Sequence, residues 1–396
     1  MIQISPETQL FIREHSSDDV RTLALQAKKY PDINMPTAIT QIAGRQVAAE
    51  KIPSWREIEE IWYPKHLSLE QCSSEITARY KARLSQGDSL TDLTGGFGID
   101  CSFLATGFKS ATYVERQEEL CEIAAHNFPI LNLNHINVRN EDGVAYLQTM
   151  SPVDCIFLDP ARRNEHGGKT VSIADCEPNV AELEDLLLSK ASRIMIKLSP
   201  MLDLSLALKE LKHTQEVHIL SVNNECKELL ILLGQTSPAE ITIHCVNLFT
   251  KGTQEEQHFV FTREQEQRSQ CTYTDSLGDY LYEPNASLLK AGAFRSIAAA
   301  YPVRKLHPNS HLYTSDTFIE NFPGRIFRIV NQCSFNKKEV KENLADLKKA
   351  NVTVRNFPAT VAELRKRLHL TEGGDTYLFA STLNNGQKVI IRCEKV

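Results

Sequence analysis

Asp92, Thr94, Gly95, Gly96 and Gly98 fall within the nine residues DLTGGFGID at 92–100, a pattern suited to holding a small charged ligand. Closely spaced glycines let the backbone turn tightly and approach a ligand, and a helix beginning just after them aims unpaired N–H groups at it. The spacing aligns Gly96 and Gly98 with a dinucleotide fingerprint, G-x-G-x-x-G, but Cys101 occupies its third glycine, and no phosphate-binding lysine follows as in a P-loop. Asp92, ahead of the turn, repels a pyrophosphate and accepts hydrogen bonds from a cationic amino group. S-adenosylmethionine carries such a group, and the motif matches a site for it.

Further polar residues fall where that site needs them. Glu115 closes a second apolar run, 23 residues beyond Asp92, and a carboxylate there accepts both hydroxyls of a ribose. Asp142 closes a third run, placed to accept the amine of adenine. Asp100, Arg116 and Gly143 stand beside these and complete the expected cofactor-binding set. A fourth run ends in DPARR at 159–163, on the side of the crevice where a substrate enters. Asp159, followed by Pro160, is expected to orient a nucleophilic nitrogen or accept its proton, with Arg162 completing the catalytic set. Arg162 and Arg163 also offer guanidiniums to phosphate or carboxylate, and Lys197, a lone charge inside IMIKLSP, is a third cation for the substrate. His307 and His311 have a spacing suited to a metal, but Pro308 opposes a helix and no carboxylate or thiolate accompanies them, so no metal is expected. No G-x-S-x-G elbow occurs.

Such residues need a scaffold that brings strand ends together, and the surrounding pattern provides one. SLTDLT, ATYVER, HINVRNED, DCIFLDP and RIMIKLSP read as strands alternating with the helices IDCSFLATGF, QEELCEIAAHNFPIL, NVAELEDLLLSKA and LDLSLALKELK. This is an α/β chain with a doubly wound Rossmann-like parallel sheet. EVHILSV and LLILLG, joined by the polar turn NNECKE, are expected to end the sheet in an antiparallel pair. Before the sheet, residues 1–66 read as short helices, and LSLEQCSSEITARYKARLSQG as one helix capped by Gly87. Residues 237–282 hold the strand-like stretches ITIHCVNLF, HFVFTRE and CTYTDS of an antiparallel extension, followed by a helix, NASLLKAGAFRSIAAAYP. The tail reads β-α-β-α-β-β, an α+β module. The expected domains are 1–66 (helical), 67–236 (sheet), 237–322 (strand-rich extension) and 323–396 (tail).

The 396 residues, 42% hydrophobic and 24% charged, describe a folded globular chain of two to three domains. No apolar run approaches the roughly 20 residues of a membrane span, and the first residues lack an export pattern, so no membrane partner is expected. Ten cysteines without a C-x-x-C pair read as reduced thiols of a cytoplasmic protein. Charge is uneven. From 323 onward there are 14 Lys and Arg against 7 Asp and Glu, whereas the rest of the chain is acidic. A basic module on an acidic body points to a polyanionic partner, and Arg365, Lys366 and Arg367, with the lysines at 337, 338, 341, 348 and 349, are its expected contacts.

DLTGGFG, Glu115 and Asp142 resemble the class I S-adenosylmethionine-dependent methyltransferases over about residues 67–236. With EQCSSEITARYKARL, DPAR, EPNASLLKAG, LHPNSHLYTSD and the basic tail, the chain resembles the bacterial methyltransferases that carry a THUMP-like C-terminal domain. That resemblance implies a ferredoxin-like middle piece, a THUMP-like tail that binds RNA, and RNA as the methyl acceptor. It matches Asp92, Thr94, Gly95, Gly96 and Gly98 to the glycine motif, Glu115 to the ribose acid, Asp142 to the adenine contact, and Asp159 with Pro160 to the catalytic motif. Thr94 stands where many members have glycine. Ala161 and Arg162 stand where amino methyltransferases carry proline and an aromatic, and IKLSPM lacks the nucleophilic Cys of the uridine C5 enzymes. The other readings are a methyltransferase of small molecules or proteins, and a silent RNA-binding protein that retains a cofactor site.

Overall fold

Runs such as CIFL at 155–158 and IMI at 194–196 lack polar alternation, as strands covered on both faces require. In the computed structural model, which describes residues 4–162, 172–252 and 256–396 (66, 67 and 162 by backbone alone), these runs pair side by side. β1 (Gly87–Asp92), β2 (Phe108–Glu115), β3 (Ile136–Asn140), β4 (Val153–Leu158) and β5 (Ala191–Leu198) are all parallel, in the order β5-β4-β1-β2-β3. The order reverses between β1 and β4, and a ligand crevice forms beyond strand ends at such a switch point. Asp92 ends β1, Glu115 ends β2 and Asp159 follows β4.

The chain divides into two compact units, residues 1–215 with 229–238, and residues 216–228 with 239–396. In the first, an antiparallel strand borders β5, which pairs from Arg193 to Leu198 with residues Gly234 to Leu229. The N-terminal helices pack Phe11, Ile12, Leu23, Met35, Ala38 and Ile42 into one cluster. A second cluster joins Ala48, Ile52, Trp55, Ile61 and Tyr63 to Phe97, Ile99 and Ile123, so this segment packs directly on the glycine turn. Trp55 meets Phe97 edge-on at 5.3 Å.

Several local expectations change. The helix expected over LSLEQCSSEITARYKARLSQG is two helices, His66–Gln71 and Glu75–Ala82, separated at Cys72 and Ser74, whose backbones are extended. Gly87 caps no helix; it opens β1. A helix the sequence reading passed over, Gly143–Thr149, is started by Asp142, whose Oδ1 accepts from the N–H groups of Val144 and Ala145. The turn NNECKE shrinks to Asn223 and Asn224, both with positive φ (50° and 67°), the signature of a two-residue hairpin; Glu225–Gly234 is already strand.

In the second unit, β6 (Thr214–Val222) runs parallel to β8 (Thr242–Leu248), which pairs antiparallel with β9 (Glu256–Thr262); the strand Glu225–Gly234 between β6 and β8 in sequence is β7. β9 ends where Thr262 and Gln265 form a capping box that starts the helix Arg263–Arg268, and CTYTDS makes only an isolated bridge, Tyr273 to Lys305. The helix expected over NASLLKAGAFRSIAAAYP is two, Ala286–Ala291 and Ser296–Ala300, interrupted at Gly292 (φ 76°). A separate seven-stranded sheet runs through the rest: Arg304–Lys305, Tyr313–Ser315, Tyr280–Pro284, Gly324–Ser334, Lys388–Lys395, Thr376–Thr382 and Asn351–Val354, in that spatial order. The tail from 324 is β-α-β-α-β-β, its helices Lys337–Leu344 and Val361–Leu368 burying Leu344 and Leu364. No helix among the described residues is long and apolar enough to cross a membrane.

Candidate active site

The turn after β1 is built on Gly96 and Gly98, whose φ values of 53° and 87° are ones that L side chains rarely adopt. Gly95 N–H donates to Val114 O, which ties the turn to β2. Glu115, 9% exposed, holds it from the side: Oε2 accepts from Gly96 N–H and Oε1 from Gln117 N–H, each at 2.9 Å. Each carboxylate oxygen has a second lone pair for a ligand hydroxyl. Thr94, in the place of a motif glycine, uses its side chain. Its Oγ1 accepts from the Asp159 N–H at 2.6 Å, and its own N–H donates to Asp92 Oδ1 at 3.0 Å, so one residue ties the end of β1 to the loop after β4.

Asp92 is 1% exposed, and its Oδ2 has no hydrogen-bond partner among the described residues. Burial pushes its carboxyl well above the usual range; the Thr94 N–H opposes this, and the charges of Asp100, Asp159 and Glu115 add to it. An orphaned buried acceptor among acids lacks a cation or a donor, and the residues present fit a positively charged ligand.

Behind the turn lies a buried ionic cluster. Lys81, fully buried, places Nζ 3.0 Å from Asp100 Oδ1 and 3.0 Å from Ser73 Oγ, and Ser73 Oγ donates to Asp100 Oδ2 at 2.7 Å. Lys197 Nζ lies 3.4 Å from Asp100 Oδ2 and 2.6 Å from Asp159 Oδ2. Burial acts to raise the Asp100 carboxyl, but Lys81, Lys197 and the Ser73 hydroxyl outweigh it and bring it to about 2. Asp159 exposes 36% of its side chain, yet the atoms packed around it raise its carboxyl above the ordinary value, with the Lys197 charge opposing. Asp100, expected among the cofactor residues, is engaged by two ammonium groups and a hydroxyl, and Lys197, expected among the substrate residues, by two carboxylates.

The remaining expected residues scatter. Gly143 follows the helix cap Asp142 and passes so near Leu93 that a Cβ would stand 2.2 Å from its carbonyl oxygen. Arg116 is exposed and 3.5 Å from Glu177. Pro160 is buried; Arg163 lies outside the described residues, and Arg162 shows only its backbone, paired with Cys176. In the tail, Arg365 pairs with Glu372 at 3.0 Å and Arg367 lies 4.1 Å above the Phe335 ring, whereas Lys366 is exposed. Lys337, Lys338, Lys341, Lys348 and Lys349 are exposed, and no ion pair engages them among the described residues. His307 Nδ1 accepts from Asn309 N–H, whereas His311 stacks on Phe294. Sequence reading missed Ser73 and Lys81. Their signal was faint: a lysine inside a helix is ordinarily a solvated one.

Residues 280–323 match the family model of a ferredoxin-like domain, and residues 324–395 that of a THUMP domain-like family. No curated protein matches the chain. Among solved structures, a "putative methyltransferase from Porphyromonas gingivalis W83" is 35% identical, covers 100% of both chains and superposes with a TM-score of 0.88. An rRNA methylase from Streptococcus thermophilus (14% identity, 40% of this chain and 93% of that one, TM-score 0.29) and a "putative methyltransferase from streptococcus mutans in complex with SAH" (13%, 40% and 96%, 0.29) are distant matches. On its identity and full-length likeness to the Porphyromonas gingivalis protein, this chain belongs to the same family, methyltransferases that carry a THUMP-like C-terminal domain.

Proposed function

We propose that the protein transfers a methyl group from S-adenosylmethionine to RNA, binding the cofactor in the crevice over β1, β2 and β4 and the RNA through the tail. The observation that carries the cofactor reading is Asp92, buried, short of a partner at Oδ2 and surrounded by Asp159 and Glu115. Three acids at one crevice oppose a pyrophosphate and favour a cation. S-adenosylmethionine supplies, when bound, a methyl group on a positively charged sulfur together with an ammonium group. Gly95, Gly96 and Gly98 give the backbone access to it, Glu115 receives ribose hydroxyls on its remaining lone pairs, and Asp142 with Gly143 faces the adenine. Asp159, oriented by Thr94 and Lys197, accepts the acceptor's proton or aligns its nucleophilic atom. Arg162 and Arg163 are the proposed cations at the substrate mouth.

Calorimetry tests the cofactor reading with a sign. A cation favours ionised Asp92, so binding lowers its raised carboxyl and releases a proton. S-adenosylmethionine affinity is therefore expected to rise with pH until Asp92 is ionised in the free protein and to be flat above that. Asp92→Asn should bind more weakly and without the pH dependence. Binding of NAD in preference to S-adenosylmethionine, or a wild-type affinity that falls as pH rises, would sink the reading.

In this reading RNA binding rests more on Lys337, Lys338 and Lys341, which no ion pair engages among the described residues, than on Arg365 and Arg367, which Glu372 and Phe335 engage. Each neutralised phosphate contributes a log–log salt slope of about −0.7 on single strands. Reversing Lys337, Lys338 and Lys341 together should flatten the slope and leave cofactor affinity unchanged, whereas reversing Arg365, which already has Glu372, should do less. Unaltered RNA binding and salt dependence in the lysine variant would move the substrate toward a small molecule or protein.

A further inference from the structure

We propose that Glu216, His218 and His244 form a binding site for a divalent transition-metal ion of the zinc class, with His258 orienting the His244 ring. All four belong to the second unit, and none is among the residues proposed above for cofactor or methyl transfer. Strand periodicity explains the cluster. Glu216 and His218 are two apart on β6 and share a face; His244 lies directly opposite His218 in the parallel β6–β8 register; His258 is on β9, diagonal to His244 across the antiparallel pair. The His218 and His244 rings stack at 4.3 Å and 7°, and the His244 and His258 rings follow at 5.3 Å.

The donor atoms converge. Glu216, His218 and His244 each offer one ligand atom, and these lie within 4.8 Å of one another. His218 Nε2 is 3.2 Å from Glu216 Oε2. A tetrahedral zinc with bonds of about 2.0–2.1 Å sets its ligand atoms roughly 3.3 Å apart, so small side-chain rotations bring three donors onto one ion. His258 Nε2 stands 3.1 Å from His244 Nδ1, the placement of an outer partner that fixes a ligating imidazole's tautomer. His218 is buried, while 37% of the Glu216 side chain is exposed, which leaves an entry path and charge to balance the ion. Two imidazoles and a carboxylate suit zinc, copper or nickel better than calcium or magnesium.

Zinc chloride titrated calorimetrically into full-length protein previously stripped with chelator is expected to show saturable binding of one ion per chain. Glu216→Gln, a near-isosteric change at a half-exposed position, and His244→Asn should each weaken it by at least about tenfold, and His258→Gln by a similar factor. Circular-dichroism melts of the metal-free variants confirm that they fold, and His307→Gln serves as a variant whose zinc affinity should stay unchanged. Cobalt added to the stripped protein should give visible absorption bands that Glu216→Gln removes. Absence of saturable zinc binding in the native chain overturns the proposal, as does unchanged affinity in folded Glu216→Gln and His244→Asn; the histidines are then a hydrogen-bonded stack and no more.

Discussion

An Asp159→Asn protein is expected to transfer methyl groups about a hundred- to ten-thousandfold more slowly than the native chain, the range for losing a positioned acid–base group. Its S-adenosylmethionine affinity should change by less than about threefold, so that the loss sits in kcat. Asparagine keeps the size of the side chain and the backbone N–H bond to Thr94, but it removes the charge that Lys197 holds at 2.6 Å. Lys197→Met tests the same pair from the other side. Asp159 then lacks the cation that opposes its raised carboxyl, and the acidic limb of the pH–rate profile should move to higher pH. Single-turnover rates at saturating cofactor read both effects, and full turnover by Asp159→Asn removes DPAR from the chemistry.

Asp100→Asn is expected to cost about 3–5 kcal/mol of stability, the penalty for taking the partner from a buried charge. Lys81 is fully buried against Asp100, whose side chain is 10% exposed, so solvent screens the pair little. A Lys81→Met, Asp100→Leu double substitution should recover much of the loss, because Lys81 is then no longer left as a buried charge without its partner, and Lys197 keeps Asp159. The pH dependence has a defined direction. The Asp100 carboxyl lies at about 2 in the folded chain, below its usual value near 3.8, so its contribution is present above that value and is lost as pH falls toward 2. Denaturant melts between pH 5 and 2 should show this acid limb in the native chain and a flatter one in Asp100→Asn. A loss under about 1 kcal/mol shows that the cluster is not a stabilising one.

The glycine turn and the β1–β5 alternation were legible because their signals are local: spacing, strand runs and helix starts within a few residues of each other. The ionic cluster was not, since Ser73 and Lys81 come from a region read as one continuous helix, and only its break at 72–74 aims Ser73 at Asp100. Thr94 looked like a departure from a glycine motif, and its hydroxyl proves to be what fastens the loop after β4. The basic tail was legible as net charge but not as surface. Glu372 and Phe335 engage Arg365 and Arg367, neighbours that only the fold supplies. Glu216 and His218 lie in a segment read only as a strand, and their meeting with His244 depends on the register that sets it opposite His218.

Radiolabelled S-adenosylmethionine, incubated with the purified protein and total RNA from a strain lacking the gene, tests the proposed activity most directly. Label should enter RNA with the native chain, remain absent with Asp159→Asn, and fall with the Lys337, Lys338 and Lys341 reversal. Label recovered in protein or small molecules, with none in RNA, would overturn RNA as the acceptor; no transfer to any fraction by a chain that binds the cofactor would overturn the methyltransferase activity itself.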